Sequence, residues 1–321
     1  MTMRRREFVV GLGSAAALSW AAKAQSPRYR IGILDTVSRQ TNPYFGALQK
    51  VLVDRGYIEG QNLTFEYRSP EGRNEGFREL AQELARLPID VIVTRGTPAA
   101  LAAKAASATI PVVMAAAGDA PGIASAAPTS GNLTGFGANL PGVERMRVEI
   151  LKEMLPQVRR VAALLNLSNP SRRSEWSEIE TAARALGIES KVLDVRTAAD
   201  IEPAFAATAR EHADAMLVGS DTLVQTNQVQ IVRLAAAHRL PAIYTFRDFV
   251  EAGGLASYGV NLPELYRRAA DYVDKILKGA RPAELPIAPA ARAELVFNAG
   301  AAKALGLSIA ETLLARAEVI P

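Results

Sequence analysis

The chain contains no cysteine, and its 321 residues include just two histidines, His212 and His238. Without a thiol there can be no disulfide, thiolate metal site, cysteine nucleophile or lipoprotein anchor. Both histidines fall on amphipathic helical patterns and read as surface or helix-end residues, so neither a histidine metal site nor a catalytic triad is expected. Beyond the N-terminus no run reaches the ~18 consecutive apolar residues of a membrane span. The G-x-x-x-x-G-K-[ST] phosphate loop and the G-x-S-x-G nucleophile elbow are also missing. Nothing sets two carboxylates beside a base or a metal ligand. Charge excludes a further class. The formal net charge is +4, but residues 1–24 hold Arg4, Arg5, Arg6 and Lys23 against Glu7. The remainder is close to neutral and carries no electrostatic footprint for nucleic acid.

What is present begins with that N-terminus. Arg4, Arg5, Arg6, Glu7 and Phe8 precede a weakly apolar run to Trp20, then Ala22, Lys23 and Ala24. A basic region, an apolar region and an A-x-A sequence form a cleavable export signal. The Arg5-Arg6-x-Phe8 pattern gives it a twin-arginine character. Cleavage after Ala24 is expected, with the mature chain in the periplasm. The same stretch has a second reading. Gly11, Gly13 and Ala16 match G-x-G-x-x-A, and Asp35 follows about 20 residues later, the outline of a dinucleotide-binding fingerprint. On that reading the protein is an NAD(P)-dependent enzyme that retains residues 1–24.

The rest alternates strands and helices. Strands are expected at 29–34, 63–67, 91–93, 110–117 and 132–136, with helices between them. The pattern restarts with a long helix over 141–155 bearing a charged face. Strands follow at 161–166, 191–195, 215–218, 242–245 and 255–258, with a single helix over 223–239. Asn42-Pro43 and Asn169-Pro170 open equivalent helices in the two halves. Such alternation implies an α/β fold: two doubly wound parallel-sheet lobes, covered by helices on both faces, with a ligand cleft between them. Residues 25–138 with about 262–285 make the first lobe, and 139–261 with about 286–321 the second. Ligands in such folds bind beyond the carboxyl ends of the strands. One turn of this kind follows Val91, Ile92 and Val93, where Thr97 stands as an N-cap and Pro98 as the first helical residue.

Several stretches, in order, carry a resemblance: Glu59-Gly60-Gln61-Asn62, Gly96-Thr97-Pro98-Ala99-Ala100, Asn132-Leu133-Thr134-Gly135, Val218-Gly219-Ser220-Asp221, Pro241-Ala242-Ile243-Tyr244, a run from Ala252 through Gly253, Gly254 and Leu255 to Gly259, Ile276-Leu277-Lys278-Gly279, and Ala302-Lys303-Ala304-Leu305-Gly306-Leu307. Together they resemble the periplasmic substrate-binding proteins of ABC transporters, in the group related to tryptophan- and tyrosine-binding proteins. The resemblance implies a type I periplasmic-binding-protein fold, no catalysis, no cofactor, a monomer, and delivery of a solute to a permease in the inner membrane. A ligand-sensing partner of a membrane receptor would share the fold. The pattern departs from the family at Arg95, which stands where a glycine is common, and at Ala120, which separates Asp119 from Pro121.

The ligand so implied is a zwitterion such as an amino acid. Thr97, the helix start at Pro98 and Thr36 are candidate carboxylate donors, Thr97 alternatively being a cap alone. Asp119 and Asp221 are candidate acceptors for an ammonium or else turn and cap residues. Tyr244 and Phe136 either stack on the ligand or fill the core. Asn166 and Ser220 stand at second-lobe strand ends as hydrogen-bonding candidates. Arg247 pairs with a ligand carboxylate or forms a surface ion pair. Arg95 either faces the cleft, favouring a more anionic ligand, or faces solvent.

Overall fold

The computed structural model describes residues 28–71, 76–118, 122–123, 131–138 and 140–321. The export signal, the Gly11–Gly13–Ala16 motif and Asp119 lie outside the described residues.

Two parallel-rich sheets organise the chain. The first contains β1 (Tyr29–Leu34), β2 (Leu63–Arg68), β3 (Val91–Arg95), β4 (Val112–Ala117), β5 (Leu133–Gly137) and β11 (Ala288–Pro289). Their spatial order is β11-β5-β4-β3-β1-β2, parallel throughout. The second contains β6 (Arg160–Leu165), β7 (Glu189–Asp194), β8 (Ala215–Val218), β9 (Ala242–Tyr244), β10 (Ala256–Val260), β12 (Ala293–Asn298) and β13 (Glu318–Ile320), in the order β13-β12-β10-β9-β8-β6-β7. Only the β10–β12 pairing is antiparallel. The central strands are buried on both faces, which is why VIVTR and VVMAAA read as continuous rather than alternating apolar runs.

Between the strands of the first lobe run α1 (Phe45–Asp54), α2 (Phe77–Ala85) and α3 (Thr97–Ala106). Helix α1 buries Phe45, Leu48 and Leu52, one stripe at helical spacing. The second lobe begins with α4 (Val143–Met154), α5 (Pro170–Ala185) and α6 (Ile201–Arg210). The expected helix over 223–239 is in fact two, α7 (Thr222–Thr226) and α8 (Gln228–Ala237). Asn227 ends the first by turning its Nδ2 back to the Leu223 carbonyl at 2.8 Å, one of the local backbone alternatives an Asn side chain offers. After α9 (Arg247–Glu251) and β10 comes α10 (Leu262–Leu277), which packs against α1 and beneath β3, β4 and β5. Arg55 and Tyr57 clamp this return helix: Arg55 reaches Asp271 and Asp274, and Tyr57 donates to Asp274 at 2.9 Å. The chain then lays Ala288–Pro289 along β5. The next strand, β12, belongs to the second sheet. The closing helices are α11 (Ala299–Leu305) and α12 (Glu311–Leu314).

Where β10 passes the end of β9, the backbones approach closely. A Cβ on Gly259 would lie 1.9 Å from the Thr245 carbonyl oxygen. Gly46, on the exposed side of α1, has nothing within 4 Å of its Cβ position. Gly259→Ala is expected to lower stability by about 3 kcal/mol, while Gly46→Ala is neutral or slightly stabilising. Chemical denaturation of both variants checks this, and equal effects would contradict the packing.

Candidate functional site: the cleft between the sheets

The carboxyl ends of β1, β3 and β4 face those of β8 and β9 across a cleft with about 660 Å³ of atom-free space, part of it open to solvent. The first lobe contributes Thr36, Arg95, Gly96, Thr97 and Pro98 to its wall; the second contributes Arg172, Ser220, Asp221, Thr222, Gln225 and Phe246.

On the first lobe, Gly96 rather than Thr97 caps α3. Its φ of 87° is one that side chains rarely adopt. Thr97 is consequently the first helical residue and Pro98 the second. The Thr97 hydroxyl takes no part in capping; it is buried and has no hydrogen-bond partner among the described residues. It sits with the free N–H groups of a helix start, where the backbone dipole favours an anion. Thr36 lies beside it, its hydroxyl 3.4 Å from Asp35 Oδ1. Arg95 turns into the cleft, 4% exposed. Its guanidinium lies over the Tyr44 ring at 5.0 Å, approaches Asp35 at 3.5 Å and crosses to Gln225 Oε1 of the second lobe. Burial pulls its pKa down, and Tyr266, Asp35, Tyr44 and Asp248 around it more than reverse that, so the side chain is charged.

On the second lobe, Asp221 is committed to its own surroundings. It caps α7 through Leu223 N–H at 3.0 Å and accepts from Asn166 and Asn169 Nδ2, each at 2.9 Å. Asn166 thus acts behind the wall, holding Asp221. Ser220 accepts from Arg172 Nη1 at 3.0 Å. Tyr244 and Phe136 belong to the core. Tyr244 stacks on Phe249 with centroids 4.9 Å apart, and Phe136 lies between Tyr272 at 4.7 Å and the Arg268 guanidinium at 4.2 Å. Each is on the strand face that packs against helices, away from the cleft wall. Arg247 forms the outer ion pair, reaching Glu251 at 2.7 Å and Glu318 at 2.5 Å.

Sequence reasoning missed the charged support behind the second wall. Helix α4 does carry charge, but Glu144 and Arg147 face inward. Arg147, fully buried, donates to Glu144 at 2.7 Å, Glu175 at 3.3 Å, and the carbonyls of Val218 at 2.6 Å and Ile243 at 3.1 Å. It therefore satisfies the carbonyls at the ends of β8 and β9. Arg172, on α5, pairs with Glu175 in turn. Burial pushes the Glu175 carboxyl up, with Arg172 and Arg147 holding it back. The available signal was the i, i+3 spacing of Glu144 and Arg147 on a helix whose apolar stripe includes Val148 and Leu151.

Removing Arg147 takes a charged donor from Glu144, Glu175 and the Ile243 and Val218 carbonyls; Glu175 keeps Arg172 and Val218 keeps the Thr245 hydroxyl. Arg147→Met is expected to cost about 3–5 kcal/mol, measured by denaturant unfolding; a loss under 1 kcal/mol would contradict the role given to it. A second test concerns Asp248, buried at the seam between the lobes with Oδ1 unpartnered among the described residues. Burial raises its pKa against the pull of Arg95. A carboxyl with a raised folded pKa contributes stability that is fully present below its unfolded pKa of about 3.9 and is lost as pH rises through the folded value. The stability of the wild type relative to Asp248→Asn should therefore fall as pH is raised from 4. A difference that does not change with pH, in melts across pH 4–8, would contradict this.

Residues 31–320 match the family of ABC transporter substrate binding proteins. A tyrosine-binding protein of Clostridioides difficile is 22% identical over 261 residues, spanning 80% of this chain and 75% of its own length. Two solved structures superpose with TM-scores of 0.82. A conserved domain protein from Vibrio cholerae is 28% identical, with 91% of this chain and 99% of that one covered. An ABC domain from Streptococcus pneumonia in complex with L-Trp is 26% identical, with 91% and 100% covered. The two sheets facing across a cleft are the type I periplasmic-binding-protein fold, and the chain belongs to the family of ABC transporter substrate-binding proteins.

Proposed function

We propose that the protein is the solute-binding component of an ABC importer. After export to the periplasm and loss of its signal segment, it captures a small zwitterion, an amino acid or a related carboxylate, in the cleft between its lobes. The lobes close on the ligand as hinged bodies, and the complex delivers it to a permease in the inner membrane. The observation that carries this reading is the buried, unpartnered Thr97 hydroxyl at the start of α3, at the carboxyl end of a parallel strand. A carboxylate is acceptor-only and fits that donor, the helix-start N–H groups and Thr36 together. Relatives named for tyrosine and solved with L-Trp support an amino acid as the ligand class. No helix among the described residues is long and apolar enough to cross a membrane.

Thermal unfolding of the purified protein against a panel of amino acids tests the reading. A bound amino acid at 100 times its dissociation constant should stabilise the fold by ~2.7 kcal/mol. Thr97→Val keeps the shape and removes the hydroxyl. A hydrogen bond to a charged group is worth about 1.5–3 kcal/mol, so affinity should fall about tenfold or more with little change in the melting temperature of the free protein. Unchanged affinity in that variant would overturn the assignment of Thr97. No stabilisation by any amino acid would overturn the ligand class.

A further inference from the structure

We propose that Arg95, with Gln225 and Thr222 opposite it on the second lobe, forms an acid-binding subsite distinct from the Thr97 carboxylate site. The preferred ligand is then an amino acid with a carboxylate side chain. This inference rests on the reading of the cleft as an amino-acid site and specifies which amino acids it takes.

Arg95 is buried, yet its guanidinium is incompletely matched. Its contact with Asp35 is 3.5 Å long. Asp35 is meanwhile occupied by Tyr266, by Asn42 Nδ2 at 2.9 Å, by Val37 N–H at 3.3 Å and by the Thr36 hydroxyl. The other hydrogen bond of Arg95 runs to Gln225 Oε1, so two hydrogen bonds engage a guanidinium that carries five N–H donors, with the Asp248 carboxylate also nearby. The Tyr44 ring beneath holds the guanidinium plane in position, so these donors are presented rigidly.

Gln225 supplies the second observation. A guanidinium only donates, so the amide oxygen of Gln225 must face it, and that turns the amide nitrogen away. This nitrogen is buried and unpartnered, and so is the Thr222 hydroxyl. The two residues are 8% and 1% exposed and both line the cleft. The Gln225 amide nitrogen and the Thr222 hydroxyl thus line the cleft with Arg95 and have no hydrogen-bond partner among the described residues, the Asp248 carboxylate near Arg95 lying outside the cleft wall. An ionised carboxylate accepts through both oxygens and donates nothing, which suits such a set. A carboxamide would bring one acceptor and an N–H₂ group with nowhere to donate. Sites built around such hydrogen bonds discriminate strongly against a ligand that leaves them unmade.

The wall is correspondingly poor in aromatic surface. Among the described residues Phe246 is the one aromatic side chain lining the cleft, Tyr244 and Phe136 being buried in the hydrophobic core. An indole or phenol seated against Arg95 would strip water from its donors and return no hydrogen bond to most of them. A side-chain carboxylate beside the direct Arg95–Gln225 hydrogen bond would reach Arg95 of the first lobe and Thr222 of the second, so acid recognition and closure occur at the same place.

Isothermal titration of the purified protein with L-glutamate, L-aspartate, L-glutamine, L-asparagine and L-tryptophan tests this. The wild type should bind one of the two acids at least tenfold tighter than its own amide and tighter than tryptophan. Gln225→Glu places a carboxylate against Arg95 and should erase that ratio, as should Arg95→Met. Melting temperatures without ligand report whether each variant folds, and the wild-type ratio stands independently of both. Tighter binding of tryptophan than of either acid, or an acid-to-amide ratio unchanged in a folded Gln225→Glu protein, overturns the proposal and leaves the amino-acid reading intact. Absence of binding by all five, with other amino acids also silent in thermal unfolding, overturns both.

Discussion

A polar group taken out of water needs a partner, and leaving it without one costs about 1–3 kcal/mol. The cleft is the place where this chain leaves that requirement to be met from outside. The hydroxyls of Thr97 and Thr222 and the amide nitrogen of Gln225 are all buried at strand ends or helix starts without a partner among the described residues. Several groups behind the wall are supplied with internal partners instead. Asp35 gathers four neighbouring donors besides Arg95, Asp221 gathers three, and Arg147 reaches two carboxylates and two backbone carbonyls. The unpartnered wall groups are what give the cleft its chemistry.

The two lobes reach that arrangement by the same route. Parallel strands end in short turns, and the chain enters a helix whose first N–H groups face the gap. The lobes differ in what stands behind the wall. In the first, Asp35 and the aromatic rings of Tyr44 and Tyr266 position Arg95. In the second, the Glu144–Arg147–Glu175–Arg172 chain braces the ends of β8 and β9. A buried ionic chain of this kind adds little net stability, but it is costly to break and so fixes geometry.

Much of this was legible in the sequence because it is local. Runs such as VVMAAA and VAALLN announced buried parallel strands, Asn169-Pro170 announced a capped helix, and the ordered set of short motifs announced the family. The places where reading failed are those decided at a distance or by one torsion angle. Gly96 rather than Thr97 is the cap because the turn needs a positive φ. The break at Asn227 depends on one side chain turning back on its own helix. Arg147 and Glu144 looked like a solvated face, since nothing along the chain reveals that Glu175 and two strand-end carbonyls meet them. For Tyr244 and Phe136 the sequence left ligand or core open, and both side chains are buried against neighbouring aromatic rings. For Arg95 the sequence left open whether it meets solvent or the cleft; the structure directs it to Gln225.

The central claim is that the two lobes close on a small ligand held between their strand ends. Because the chain has no cysteine, spin labels attach only where one is introduced. Val53→Cys on the first lobe and Val229→Cys on the second replace exposed side chains. Their separation is read by pulsed electron resonance with and without a saturating mixture of the common amino acids. A shift of the distribution to a single shorter distance is the predicted result. A distribution that does not move when the mixture is added would contradict closure around an amino acid.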